Sequence, residues 1–201
     1  LQEQGEQPPV SRPDLAWEEV RELHRVYRQE LECCGKLLQS VESAKDLEQC
    51  RRAGKVGALL TVEEGGVCGG SLDRLGELYD MGVRMLTLTW NYENELAHPQ
   101  TPRSKGKLSG VGRTCAAVKG KLRKNLSAGS ERAAKRSRER GLKKTGFAFL
   151  EEMERLGMVI DVSHLSDDGF YDVLEHTRRP FVASHSNART PAPHLRNLTD
   201  A

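Results

Sequence analysis

Apolar positions change rhythm along this chain, and the changes mark its elements. From Leu15 to about Arg52 they fall near three-and-four spacing (Trp17, Val20, Leu23, Val26, Tyr27, Leu31, Leu37, Leu38), which predicts helix. Asp14 is the expected N-cap, and Ser43 is expected to cap a second short helix, AKDLEQCRRAG, that ends at Gly54. KVGALLTVEEGG then reads as a β-rich run closed by glycines, SLDRLGELYDMG as an amphipathic helix, and VRMLTLTW as a buried strand. Farther on, TGFAFLEEMERLG reads as a helix, MVIDVSH as a strand, SDDGFYDVLEHT as a capped helix and RPFVASHS as a strand. Alternating strands and helices with short connections predict βαβ units and a parallel sheet. Periodicity alone leaves an open sheet and a closed barrel as alternatives.

Two segments depart from this style. Residues 1–13 are polar and carry Pro8, Pro9 and Pro13, as an extended lead-in would. From about His98 to Thr145 basic residues crowd together, among them Arg103, Lys107, Lys121, Arg132, Arg138 and Lys143, against only Glu131 and Glu139. No aromatic residue interrupts that run before Phe147, so a stacking platform for single-stranded nucleic acid is missing. A disordered, solvated loop is the reading of this stretch, with phosphate binding as the alternative and a reading-frame artefact as a third. The expected organisation is a polar lead-in and helix over 1–44, an α/β segment over 45–97, a basic insertion over 98–140 and a second α/β segment over 141–201.

Composition narrows the classes. A net charge of +2 gives no reason to expect nucleic acid or a membrane surface, and no run approaches the roughly eighteen apolar residues of a membrane span. Cys33, Cys34, Cys50, Cys68 and Cys115 are odd in number, show no CxxC pair and are read as reduced thiols, which suits a cytoplasmic location. The chain opens on Leu1 instead of Met, so its true amino terminus is expected upstream.

The chemistry collects at two histidines. VIDVSH ends at His164, and FVASHS presents His185 about twenty residues later, each at the carboxyl end of an apolar run, where α/β folds gather their ligands. VEEGG places Glu63 and Glu64 at the end of a third run. Two neutral imidazoles and a carboxylate can hold zinc with a position open for water, whose pKa the metal lowers to about 7. A packing or capping role is the ordinary one for any single histidine in such a place, and His98 and His194 are read as loop residues.

TVEEGG, SLDRLGELYDMGVRMLTLTWNYENELA, GFAFLEEMERLGMVIDVSHLSDDGFYDVLEHTRRPFVASHSNAR and RNLTD together resemble the membrane (renal) dipeptidase family of zinc peptidases, its bacterial branch above all. The resemblance covers roughly residues 45–97 and 141–201. It implies an α/β fold of the (β/α)8 TIM-barrel type found in metal-dependent hydrolases, here partial and lacking the first and last strands. It also implies two zinc ions in the family, a dipeptide substrate and a homodimer as the full-length assembly. Residue by residue, it implies a metal-bridging catalytic role for Glu63, with Glu64 as runner-up, metal ligation by His164 and His185, and capture of the substrate carboxylate by Arg196. The family's His-x-Asp pair for the other metal occurs nowhere in this sequence, and Trp90 stands where the best-known members carry a substrate-contacting histidine. The eighth-strand aspartate is also missing, so the expectation is an incomplete metallodipeptidase with one metal site retained and little or no activity of its own. Two alternatives are a catalytically dead binding module that uses the basic loop, and an amidohydrolase-like enzyme for another small amide or ester.

Overall fold

The computed structural model describes residues 13–100 and 140–199, and the lead-in, most of the basic stretch and Cys115 lie outside them. Helix α1 spans Pro13–Cys33, followed by strand β1 (Leu38–Ser40), helix α2 (Ala44–Arg52) and strands β2 (Val56–Ala58) and β3 (Leu60–Glu63). A 3-10 turn over Gly65–Cys68 leads to α3 (Leu72–Asp80) and β4 (Val83–Thr87). After the basic stretch come α4 (Lys144–Leu156), β5 (Val159–Asp161) and α5 (Asp167–His176).

All strand pairing between these named strands is parallel, in two small sheets of order β1-β2 and β3-β4-β5. The architecture is therefore mixed α/β, with no closed barrel among the described residues. Each helix is delimited by its sequence. Ser43, Ser71 and Ser166 accept the backbone N–H groups of Asp46, Arg74 and Gly169, satisfying donors that a helix start leaves unpaired. Gly157, at φ 78°, ends α4 in the left-handed conformation that a side chain would disfavour.

Helices α3 and α4 cover the three-stranded sheet with Leu75, Leu78, Phe149, Leu150 and Met153, which pack with Leu86, Leu88 and Ile160 in one core. Gly146 lets α4 approach closely, since a Cβ there would stand 2.2 Å from the Leu96 carbonyl oxygen. Trp17 of α1 joins the same core at 3% exposure, with the guanidinium groups of Arg21 and Arg74 over its ring at 5.6 and 5.3 Å. The first helix is thus part of the fold, although its sequence neighbours are polar. No described helix is long and apolar enough to cross a membrane.

Three expectations are corrected, and the β-rich reading of KVGALLTVEEGG is made finer. The helical rhythm through Leu37 and Leu38 does not extend α1, because Leu38–Ser40 pairs with Val56–Ala58 as a strand. Asp14 lies in the first turn of α1 instead of capping it, and its carboxylate pairs with Arg74. The run KVGALLTVEEGG forms two strands, one in each sheet, divided at Leu59. The last predicted strand, RPFVASHS, contributes a parallel bridge, Asp161 with Val182, held by Val162 N–H to Val182 O (2.8 Å) and Val182 N–H to Ile160 O (2.9 Å). Val182 itself is exposed, while its neighbours Phe181 and Ala183 pack against the core.

Candidate metal centre

In-register pairing sets the ends of the strands in one row. Glu63 is opposite Thr87, Thr87 is opposite Asp161, and Asp161 is bridged to Val182. Residues paired in register project to the same side of a sheet. Glu63 is thereby brought beside the two histidines that follow β5 and the Val182 bridge.

His164 is placed by a tight turn past β5. Its φ of 68° is in the left-handed region, uncommon for a side-chain-bearing residue. The turn closes through Leu165 N–H to Val162 O (3.1 Å), and Gln100 N–H donates to the His164 carbonyl (2.8 Å). Ala97 and Leu142 form an antiparallel bridge, as do Pro99 and Leu165, so both flanks of the basic stretch support this turn. Such conformations persist where neighbouring contacts over-determine them, and they cluster at functional sites.

Glu63, His164 and His185 form a compact set of potential ligands. His164 Nε2 lies 2.8 Å from His185 Nε2 and 3.2 Å from Glu63 Oε1, and His185 Nε2 is also 3.2 Å from Glu63 Oε1. Zinc bonds of 2.0–2.1 Å at tetrahedral angles would put ligand atoms about 3.3 Å apart. The observed triangle needs only slight expansion to accept such an ion.

Donor chemistry supports the same fit. Asn91 Oδ1 faces His164 Nδ1 at 3.2 Å, which assigns that nitrogen as the donor. Arg196 Nη2 approaches His164 Nε2 at 2.9 Å, and a guanidinium only donates, so Nε2 carries its lone pair. Burial lowers the His164 pKa, the Arg196 guanidinium and the neighbouring His185 lower it further, and Glu63 works against them. A neutral imidazole is the form a metal requires. The side chain is nearly buried, while Glu63 and His185 are half exposed on the open side.

Glu64, the runner-up carboxylate, turns away. It accepts from Gly66 N–H (2.7 Å), Trp90 N–H (2.9 Å) and the Asn94 side-chain amide, at a backbone φ of 138°. Burial raises its pKa against these hydrogen bonds. It latches the Trp90 backbone, and the Trp90 indole stands beside the His164 ring with centroids 6.3 Å apart. His98 contacts Gly141 O (3.1 Å) and Glu93, and His194 accepts from Arg196 N–H (3.2 Å) within its loop.

Arg196 is folded back over the site by a loop tied at both ends. Leu198 N–H donates to Asn187 O and Arg189 N–H to Leu198 O, while the Arg189 side chain grips Asp167, Leu195 O and Asn197 O. Among the described residues the Arg196 Nε is buried without a hydrogen-bond partner. Buried donors ordinarily have an acceptor, and one left over beside a candidate site calls for an anionic oxygen.

Asn91 and the group around Asp161 were not singled out in the sequence. Asp161 carried a signal nonetheless, as an acidic residue within an apolar strand run that would need partners. Cys68 is buried in the core with its thiol pushed up to about 12 by burial, so it serves packing instead of chemistry.

Comparison with known proteins places the chain in context. A sequence model described as membrane dipeptidase, peptidase family M19, matches residues 14–123 and 124–201. A protein of Schizosaccharomyces pombe described as an uncharacterized dipeptidase is 32% identical over 164 residues, covering 81% of this chain and 32% of its own length. A metallopeptidase from Rhodobacter sphaeroides, solved with a phosphinate mimic of the dipeptide L-Ala-D-Ala, superposes with a TM-score of 0.71 at 24% identity, over 97% of this chain and 48% of that one. A solved M19 dipeptidase gives a TM-score of 0.72 at 24% identity, over 98% and 48%. The chain therefore spans about a third to a half of the length of these relatives.

Proposed function

Since the chain belongs to the membrane dipeptidase family, peptidase family M19, we propose that its Glu63, His164 and His185 form the metal site of a zinc-dependent dipeptidase. The three-stranded sheet with its covering helices is read as an arc of the TIM-type barrel of that family. The observation that carries the reading is the convergence of two imidazole Nε2 atoms and one carboxylate oxygen within 3.2 Å of each other. Three acceptors so close repel one another unless a cation or proton lies among them.

A zinc ion held there would supply Lewis acidity and an activated water for attack on a carbonyl. The chain's own residues do the rest. Glu63, on the open side, is placed to take a proton from water. Arg196 offers its unpartnered Nε to the free carboxylate of a dipeptide, and its Nη2, 2.9 Å from His164 Nε2 in the metal-free chain, would yield that lone pair to the ion. One guanidinium that close to the metal site favours substrates whose terminus lies one residue from the scissile bond, which means dipeptides. Trp90 and Tyr92, both exposed, form an aromatic flank beside His164.

No His-x-Asp pair occurs among the 201 residues, so one zinc per chain is proposed, with weak or no turnover by this polypeptide. The test is zinc content by elemental analysis, with competition by a phosphinate dipeptide mimic. About one zinc per chain, lost in His164→Ala and His185→Ala, and mimic binding weakened at least tenfold in Arg196→Ala, is the expected result. Zinc retained in both histidine variants refutes the metal site, and full mimic affinity in Arg196→Ala refutes its role.

A further inference from the structure

Behind His185 lies a buried carboxylate that the proposed reaction does not use. Asp161 is fully buried, and its two oxygens receive five hydrogen bonds. Oδ1 accepts from Ser163 N–H (3.0 Å), Ser163 Oγ–H (2.8 Å) and Ser184 N–H (3.0 Å). Oδ2 accepts from Thr87 Oγ–H (2.8 Å) and Ser184 Oγ–H (2.6 Å). Every partner is a donor, which is the environment of an ionised carboxylate. The donors come from β4, from the turn that carries His164 and from the segment that carries His185, so one charge fixes three parts of the site.

The consequence follows from counting hydrogens. Ser184 has one hydroxyl hydrogen, and it is committed to Asp161 Oδ2 because a carboxylate can only accept. The same Oγ lies 2.7 Å from His185 Nδ1. With its hydrogen spent, Oγ can only accept there, so His185 Nδ1 must carry the proton. The neutral ring then has its lone pair on Nε2, the atom that faces His164 and Glu63. The His185 backbone N–H also donates to Ser163 Oγ (3.2 Å), whose own hydrogen goes to Asp161. Both the main chain and the ring of His185 are thereby referred to one buried carboxylate.

We propose that Asp161 and Ser184 are positioning residues that fix His185 as its Nδ1–H tautomer and aim its Nε2 lone pair into the metal site. The inference rests on the metal reading above for its purpose, while the tautomer itself is a property of the metal-free chain. Outer partners of metal-bound histidines set tautomer and ring orientation, and their loss commonly costs ten- to a hundredfold in metal affinity. Ser184 is the residue to change, because it is exposed and its hydroxyl can be removed without emptying the core. Asp161 is buried, and its removal would leave five donors without an acceptor.

The experiment uses the full chain with Ser184→Ala and Ser184→Thr, and two readouts. Long-range proton–nitrogen correlation spectra of the metal-free chain report the His185 tautomer, with His185→Gln for assignment. Chelator competition reports the zinc dissociation constant, with circular dichroism as a check on folding. The expected result is an Nδ1–H tautomer in the parent chain, a tautomer mixture in Ser184→Ala with zinc affinity lowered ten- to a hundredfold, and restoration of both in Ser184→Thr. A parent chain in the Nε2–H form, or a Ser184→Ala variant with unchanged tautomer and affinity, overturns the proposal. If the parent chain binds no zinc, the metal reading fails, and the tautomer comparison still decides the role of Ser184.

Discussion

Glu63 faces the two histidines while the adjacent Glu64 holds three donors, so replacing each by glutamine tests the proposed ligand against the latch. The Glu64 carboxylate holds Gly66 N–H, Trp90 N–H and the Asn94 amide. Hydrogen bonds to charged groups contribute about 1.5–3 kcal/mol each, but burying the ion offsets part of that sum. The raised pKa of Glu64, caused first by burial, is the visible sign of the offset. In Glu64→Gln, whichever way the amide turns, one N–H meets a donor that had a carboxylate oxygen, and an unsatisfied donor costs about 1–3 kcal/mol. Glu63 is half exposed and among the described residues bonds only to the two histidines, so Glu63→Gln is expected to change the stability of the zinc-free chain by about 0.5 kcal/mol or less. Zinc at a hundred times its dissociation constant stabilises a folded chain by about 2.7 kcal/mol, so urea unfolding with and without zinc reads both effects. The expected pattern is a zinc increment present in the parent, retained in Glu64→Gln on a lower baseline, and absent in Glu63→Gln. A zinc increment kept in Glu63→Gln and lost in Glu64→Gln would refute the assignment and make Glu64 the ligand.

Two further outcomes follow from the packing and the buried charge. Burial opposes ionisation of Asp161, but hydrogen bonds from Ser184, Ser163 and Thr87 outweigh it and hold its pKa below the ordinary 3.8. A pKa lowered on folding gives stability that is present above the unfolded value and lost as pH falls through the folded one. The gap in urea midpoint between the parent and Asp161→Asn is therefore expected to be full near pH 6 and to narrow below about pH 4. A gap independent of pH would mean that the Asp161 charge contributes nothing. Gly146→Ala would raise helix propensity by about 1 kcal/mol, yet its Cβ would meet the Leu96 carbonyl at 2.2 Å. A net loss of about 1–3 kcal/mol is expected from the overpacking, and a thermal midpoint at or above the parent's would show that α4 can move away.

The sequence by itself determined the elements whose signal is local. Serine caps, glycine stops and three-and-four spacing delimit α2, α3, α4 and α5, and the histidine and glutamate at the ends of apolar runs marked the candidate ligands. The family resemblance rested on the same short phrases. Tertiary structure decided what depends on residues distant in sequence. The strand at Leu38–Ser40 exists because Val56–Ala58 lies beside it, and helical spacing of its leucines could not reveal that partner. Glu63 faces the histidines through the register of β3, while Glu64, past the strand end at φ 138°, is turned to Gly66, Trp90 and Asn94. Arg196 faces His164 because Arg189 and Asp167 fold its loop back across the site. The tautomer of His185 is set by Asp161, a residue 24 positions away in the numbering. Hydrogen-bond direction is a matter of which atoms meet in space, and a linear sequence does not contain those meetings.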